Sequence, residues 1–147
     1  MATAKWLAYT GIQTALSTGL NSLAAAAFAV SSAIANGTNL YFYMDLELTL
    51  GSINLSSAVN PSVYIWVLNQ VDGTNYEYGS TGIAPARQPD AVIPLPMLSL
   101  AGPVIFAKRL VVIPPGNFMV LLQNNTGVGL NASGNTLQYN LYSETVA

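Results

Sequence analysis

Histidine and cysteine are both absent from the 147-residue chain. Without histidine the sequence lacks the commonest general base, the usual partner of a serine or cysteine nucleophile, and the commonest metal ligand. Without cysteine it has no disulfide framework and no thiolate, so stability must come from a packed core and from contacts with other molecules. Charge is scarce as well: 7% of residues are charged, against about 25% in ordinary soluble chains. The only cations are Lys5, Arg87, Lys108 and Arg109, and the net charge is −2. A phosphate backbone needs a cation or an aimed dipole at each contact, so nucleic acid is not an expected partner. Long hydrophobic runs are missing too. Gln13, Thr14, Ser17, Thr18, Asn21 and Ser22 interrupt the region before the Ala-rich tract, where a secretory leader would need a continuous apolar stretch, and no run of about 18 apolar residues follows to span a bilayer. Neither a leader nor a membrane segment is expected.

What is present is apolar and neutral: 52% of residues are hydrophobic, and the surface must be covered mainly by Ser, Thr, Asn and Gln. Such a surface repels its copies weakly and tolerates close neighbours. The length suits one domain. Period-2 alternation is clearest from Leu40 to Leu50, with Leu40, Phe42, Met44, Leu46, Leu48 and Leu50 on one side and Tyr41, Tyr43, Asp45, Glu47 and Thr49 on the other. This predicts a strand whose leucine side faces a core. Ser62 to Val71 reads as a strand with two apolar faces, Val63, Ile65 and Val67 against Tyr64, Trp66 and Leu68, so each face needs cover from a loop of its own chain or from another subunit.

Asp72-Gly73-Thr74-Asn75 supplies a turn, and Tyr76 to Tyr78 can restart a short strand. Gly79 to Pro96 reads as a long Pro-rich loop, since each proline removes a ladder donor, and a loop of that length commonly serves a function or wraps a neighbour. Val104 to Ile113, Phe118 to Gln123 and Thr136 to Tyr142 read as further strands, with a turn at Pro114 to Asn117. Ala24 to Ser32 is either a small-residue strand or part of an N-terminal helix, because alanine prefers helix. The expected architecture is all-β: one antiparallel β-sandwich or jelly-roll domain over residues 24–147, preceded by an arm or short helix over residues 1–23.

Catalysis would have to rest on carboxylates. Asp45 and Glu47 share a strand face, but a glycosidase draws its pair from different elements, so a solvated or intersubunit strand face explains them better. Gly79 to Gly82 and Gly127 to Gly129 lack the lysine and helix of a phosphate loop and read as turns. The Asn-X-Ser/Thr matches at Asn36, Asn54, Asn124 and Asn131 are expected by chance in a chain of this composition. No catalytic, metal or cofactor residue is assigned. The aromatic set Tyr41, Tyr43, Tyr64, Trp66, Tyr76 and Tyr78 suits core or interface packing, and a flat sugar-binding platform as the alternative. With Pro85, Arg87 and Pro89 of the long loop, these form the expected contact surface.

Four stretches, Asn36 to Leu48 (NGTNLYFYMDLEL), Val71 to Glu77 (VDGTNYE), Pro114 to Gly127 (PPGNFMVLLQNNTG) and Ala132 to Leu137 (ASGNTL), give the chain a pattern that resembles small virion structural proteins of tailed bacteriophages, of the kind that decorate or cement the capsid. The resemblance implies a β-sandwich or jelly roll without catalysis, assembled as a homo-oligomer such as a trimer and docked on the major capsid protein at the virion surface. It supplies no site motif. A tail or fibre module binding a receptor or glycan, and a secreted appendage subunit, are the alternatives.

Overall fold

The computed structural model describes residues 3–80 and 82–146. Among them twelve strands follow in order: β1 (Ala4–Trp6), β2 (Gln13–Leu16), β3 (Phe28–Val30), β4 (Tyr43–Leu50), β5 (Ile53–Asn54), β6 (Ser62–Asn69), β7 (Ala91–Pro94), β8 (Ser99–Leu100), β9 (Val104–Val112), β10 (Phe118–Asn125), β11 (Thr136–Tyr142) and β12 (Glu144–Val146). Eight of them build two antiparallel four-stranded sheets. Sheet I has the order β2-β11-β4-β9 and sheet II the order β3-β10-β6-β7, while β1-β12 and β5-β8 form short ribbons. Along the chain these eight strands pass from one sheet to the other in the sequence I, II, I, II, II, I, II, I. That is the jelly-roll arrangement of two facing sheets.

Between the sheets lie the inward halves of the alternating strands. Met44, Leu46, Leu48 and Leu50 of β4 meet Val63, Ile65 and Val67 of β6, Phe118, Val120 and Leu122 of β10, and Leu137, Tyr139 and Leu141 of β11. The predicted β4 alternation therefore holds from Met44 onward, but Leu40 and Phe42 are 45% and 54% exposed. The cause is local. The Asn36 amide donates to the Tyr41 and Pro114 carbonyls while its Oδ1 accepts the Tyr41 N–H, and Leu40 takes a positive φ of 50°, so the chain turns before Tyr43 and the ladder to β11 begins there.

Several other expectations are corrected. The Ala-rich tract is not helical: the Asn124 amide donates to the Leu23 and Ala24 carbonyls, the Ala26 N–H bonds the Asn124 carbonyl, and Ala26 has φ 63°. These bonds hold the tract against β10 and leave only Phe28–Val30 as strand. Residues 3–23 contribute β1, β2 and one 3₁₀ turn at Thr18–Leu20, and β2 is an edge strand of sheet I. Tyr76 to Tyr78 form no strand. The long loop ends earlier than expected, because Ala91–Pro94 pairs with Ser62–Ile65. Pro94 is tolerated there since β7 is a sheet edge, where no neighbour needs its missing N–H.

Candidate functional site

Sheet II is apolar on both faces, and the part of its outer face around Trp66, Leu68 and Leu121 is covered by its own chain, while Val92 at its edge stays 38% exposed. Trp66, Leu68 and Leu121 form a second buried cluster with Phe28, Val30, Tyr64, Ala84 and Met119 around it. The loop that covers it is held by Arg87 and Asp90. Beyond Ile65, β6 has no strand partner on the β7 side among the described residues, and side chains take its place: the Val67 N–H donates to Asp90 Oδ2 at 2.7 Å and the Val67 carbonyl accepts Arg87 Nη2 at 2.9 Å. Arg87 also bonds Glu77 at 2.6 and 2.9 Å and Asp90 at 2.8 Å. The Arg87 guanidinium holds the Glu77 carboxyl below the usual glutamate range. Gly79 sits between Leu68 and Pro85 with φ 126°, and a Cβ there would lie 3.1 Å from Leu68 Cδ2 and 3.2 Å from Pro85 Cγ, so a side chain would strain the backbone and crowd both neighbours.

The residues expected at a contact surface are thus divided. Trp66 is 3% exposed and donates its indole N–H to the Arg87 carbonyl at 3.2 Å; Pro85 is buried, Arg87 is spent on the loop, and Tyr64 and Pro89 are half-buried along a shallow groove. Tyr41 packs against the main core. Tyr76 is half-buried, whereas Tyr78 is 63% exposed. Tyr43 lies on the opposite side of the molecule, on the outer face of sheet I.

That outer face carries the most developed site. β9 bulges opposite Asp45, placing two residues, Arg109 and Leu110, where the ladder has room for one, with Leu110 at φ 57°. The bulge aims donors at the carboxylate. Asp45 Oδ1 accepts the Leu110 N–H and the Tyr142 hydroxyl, both at 2.9 Å, and Oδ2 accepts the Tyr9 hydroxyl at 2.9 Å and Arg109 Nε at 3.1 Å. Burial alone would raise the Asp45 pKa, but these four donors outweigh it and hold the group below the ordinary aspartate value. Burial and the Asp45 charge together push Tyr142 up to about 12.

Around this hub aromatic rings meet edge to face: Tyr9 on Tyr142 at 5.1 Å, Trp6 on Tyr142 at 5.6 Å and Trp6 on Tyr43 at 5.7 Å. Trp6, Leu7, Tyr9, Arg109, Leu110 and Tyr142 line a pocket of about 360 Å³. A second hollow of about 210 Å³ shares Tyr9 and Arg109 and continues along Asp45, Glu47 and Asn140. Trp6, Tyr9, Arg109 and Tyr142 escape a reading of the sequence alone. Tyr142 could have been found, because it falls out of phase with Leu137, Tyr139 and Leu141; nothing local marks Trp6, which reaches the site through the β1–β12 pairing, or Tyr9, which is carried there by the Leu7 and Thr10 N–H bonds to the Ser143 and Leu141 carbonyls.

Among the described residues no group of three Asp or Glu side chains is gathered to hold a metal ion, and no helix is long and apolar enough to cross a membrane. The chain is a self-contained antiparallel β-sandwich domain. No family model and no curated protein matches it. Among solved structures it is similar to the CBM36-1 domain of a multidomain xylanase from the hindgut metagenome of Trinervitermes trinervoides, at 10% identity and a TM-score of 0.42, over 100% of this chain and 97% of that one. At that level the likeness carries nothing about ligand or activity.

Proposed function

We propose that this chain is a non-catalytic structural domain of a phage virion, which holds to copies of itself and to the capsid protein and so stabilises the assembled shell. One observation carries the reading: a groove of about 630 Å³ on the flank where the covering loop meets the end of β9 is bordered by Val71 and Val112, which are 93% and 69% exposed. Tyr78 at 63% and Ile83 at 52% lie on the same loop. Large apolar side chains left in water on a chain with so few charges favour burial against another subunit. Binding the assembled lattice better than free subunits adds linkage free energy against rupture. The jelly roll hosts capsid and lectin domains alike, so fold by itself does not choose between them.

The test is a double substitution, Val71→Asp with Val112→Asp. The parent chain is expected to be found on purified particles by mass spectrometry and to self-associate in sedimentation. The variant should melt like the parent yet lose at least tenfold in particle occupancy. A parent chain that stays monomeric and is absent from particles, or a folded variant that binds as the parent does, overturns the reading. A second reading, a receptor- or glycan-binding module, is favoured by a different feature, the aromatic pocket beside Asp45.

A further inference from the structure

We propose that the groove on the outer face of sheet I, running from Trp6 past Tyr9 and Arg109 to Asn140, is a binding site for a neutral saccharide. This deepens the second reading and does not depend on the assembly reading. A pyranose ring presents an apolar face of C–H groups and an equator of hydroxyls, so it needs an aromatic surface flanked by paired donors and acceptors. Trp6 and Tyr9 are 57% and 49% exposed, which leaves aromatic surface for such a face. They are also held in place: Trp6 between Tyr43 and Tyr142, and Tyr9 by the bond its hydroxyl donates to Asp45 and the one it accepts from Arg109 Nη2 at 3.0 Å. A rigid platform loses little side-chain entropy on binding. The larger hollow, at about 360 Å³, falls in the usual range of roughly 300–1,000 Å³ for ligand pockets.

The polar groups fit the same ligand. Nε and Nη2 of Arg109 are spent on Asp45 and Tyr9, but among the described residues Nη1 donates to nothing, so a fixed donor remains at the junction of the two hollows. Asn140 lines the smaller hollow, and among the described residues its Oδ1 is buried without a hydrogen-bond partner. A buried acceptor left empty is costly, so turning the Asn140 amide to bring Oδ1 to the wall of the hollow lets a ligand donor recover that cost. An apolar side chain from a neighbouring subunit would cover the rings but leave Nη1 and Oδ1 unanswered, whereas sugar hydroxyls answer both. Charge selects the class of sugar. Arg109 offsets Asp45, and Glu47 remains on the smaller hollow, so uronic acids and sialylated chains are repelled while neutral ones are not.

The test uses the full chain against an array of neutral oligosaccharides (gluco-, manno- and galacto-series) and acidic ones. The two indole N–H resonances of ¹⁵N-labelled protein serve as reporters for the hit. The expected result is binding to a neutral series with a shift of the Trp6 indole and none of the Trp66 indole. Trp6→Ala should then lose at least tenfold in affinity, and Asn140→Ala about tenfold. Both variants should keep a single cooperative melt above the assay temperature and the parent's mass in solution, which separates loss of a sugar site from unfolding and from loss of a subunit contact. No binding across the array, a preference for acidic polymers, a shift confined to Trp66, or undiminished affinity in both folded variants overturns the proposal.

Discussion

Met44, Leu46, Leu48 and Leu50 are at most 1% exposed while Phe42, two residues before them in the same phase, is 54% exposed. The difference has an energetic consequence that unfolding can read. Leu46→Ala empties a site enclosed on all sides and should cost about 2–5 kcal/mol, whereas Phe42→Ala removes a ring that is more than half in water and should cost about 1 kcal/mol or less. Urea midpoints at unchanged slope distinguish the two; equal losses would place Phe42 in the core after all. Alternation made the β4 leucines legible, because side-chain direction in a strand follows from position alone. It could not reveal where the alternation stops, since that is set by Asn36, whose amide bonds the Pro114 carbonyl across 78 residues of sequence. Asn36 and Asn124 match glycosylation patterns in the sequence, yet they are 1% and 0% exposed and act as internal clamps on the backbone.

At the level of elements, the two apolar faces of β6 were legible and the identity of their cover was not. Periodicity says that both faces need burial; it does not say that Arg87 and Asp90 will reach back to stand in for a missing strand beside Val67. Loop length and proline content pointed to a wrapping role, and the chain wraps itself. This assigns Arg87 a definite task. Arg87→Ala removes the bonds to Glu77, Asp90 and the Val67 carbonyl, and the ion pairs, at about one-third side-chain exposure, are screened by solvent and contribute modestly. Losing the backbone carbonyl's partner adds to this, for a total of about 1–3 kcal/mol. In a Trp6→Phe background, where Trp66 is the sole tryptophan, Arg87→Ala should shift the emission to the red and open it to acrylamide quenching. Unchanged emission would mean that the packing of Gly79 and Ala84 on the Trp66 and Leu68 cluster holds the loop without help.

For the whole molecule, composition and turn spacing indicate a sandwich, but strand order is a long-range property that no local pattern encodes. The N-terminal residues show this best. Read locally, residues 1–23 are an arm or a helix, because their apolar residues are scattered among polar ones; in the fold, Gln13–Leu16 pairs with β11 and closes one edge of sheet I. Leu16 and Leu20 then enter the core at 6% and 0% exposure. Removing residues 1–12 would delete β1 and the Trp6 and Tyr9 side of the aromatic pocket, all on the outside of the sheet. That truncation should stay folded, with a lowered melting temperature and an intact cooperative transition. Removing residues 1–20 would also strip the edge strand and two buried leucines. At about 2–5 kcal/mol for each lost leucine, set against a total stability of roughly 5–15 kcal/mol for a domain, the remainder should not hold. The exposed edge of β11 should also pair with other chains. Thermal unfolding followed by circular dichroism, with size-exclusion chromatography, compares the two truncations directly. Aggregation or loss of the cooperative transition only in the longer truncation is the expected outcome. A protein lacking residues 1–20 that melts like the parent would show that β2 is an appended strand and that the sandwich is complete without it.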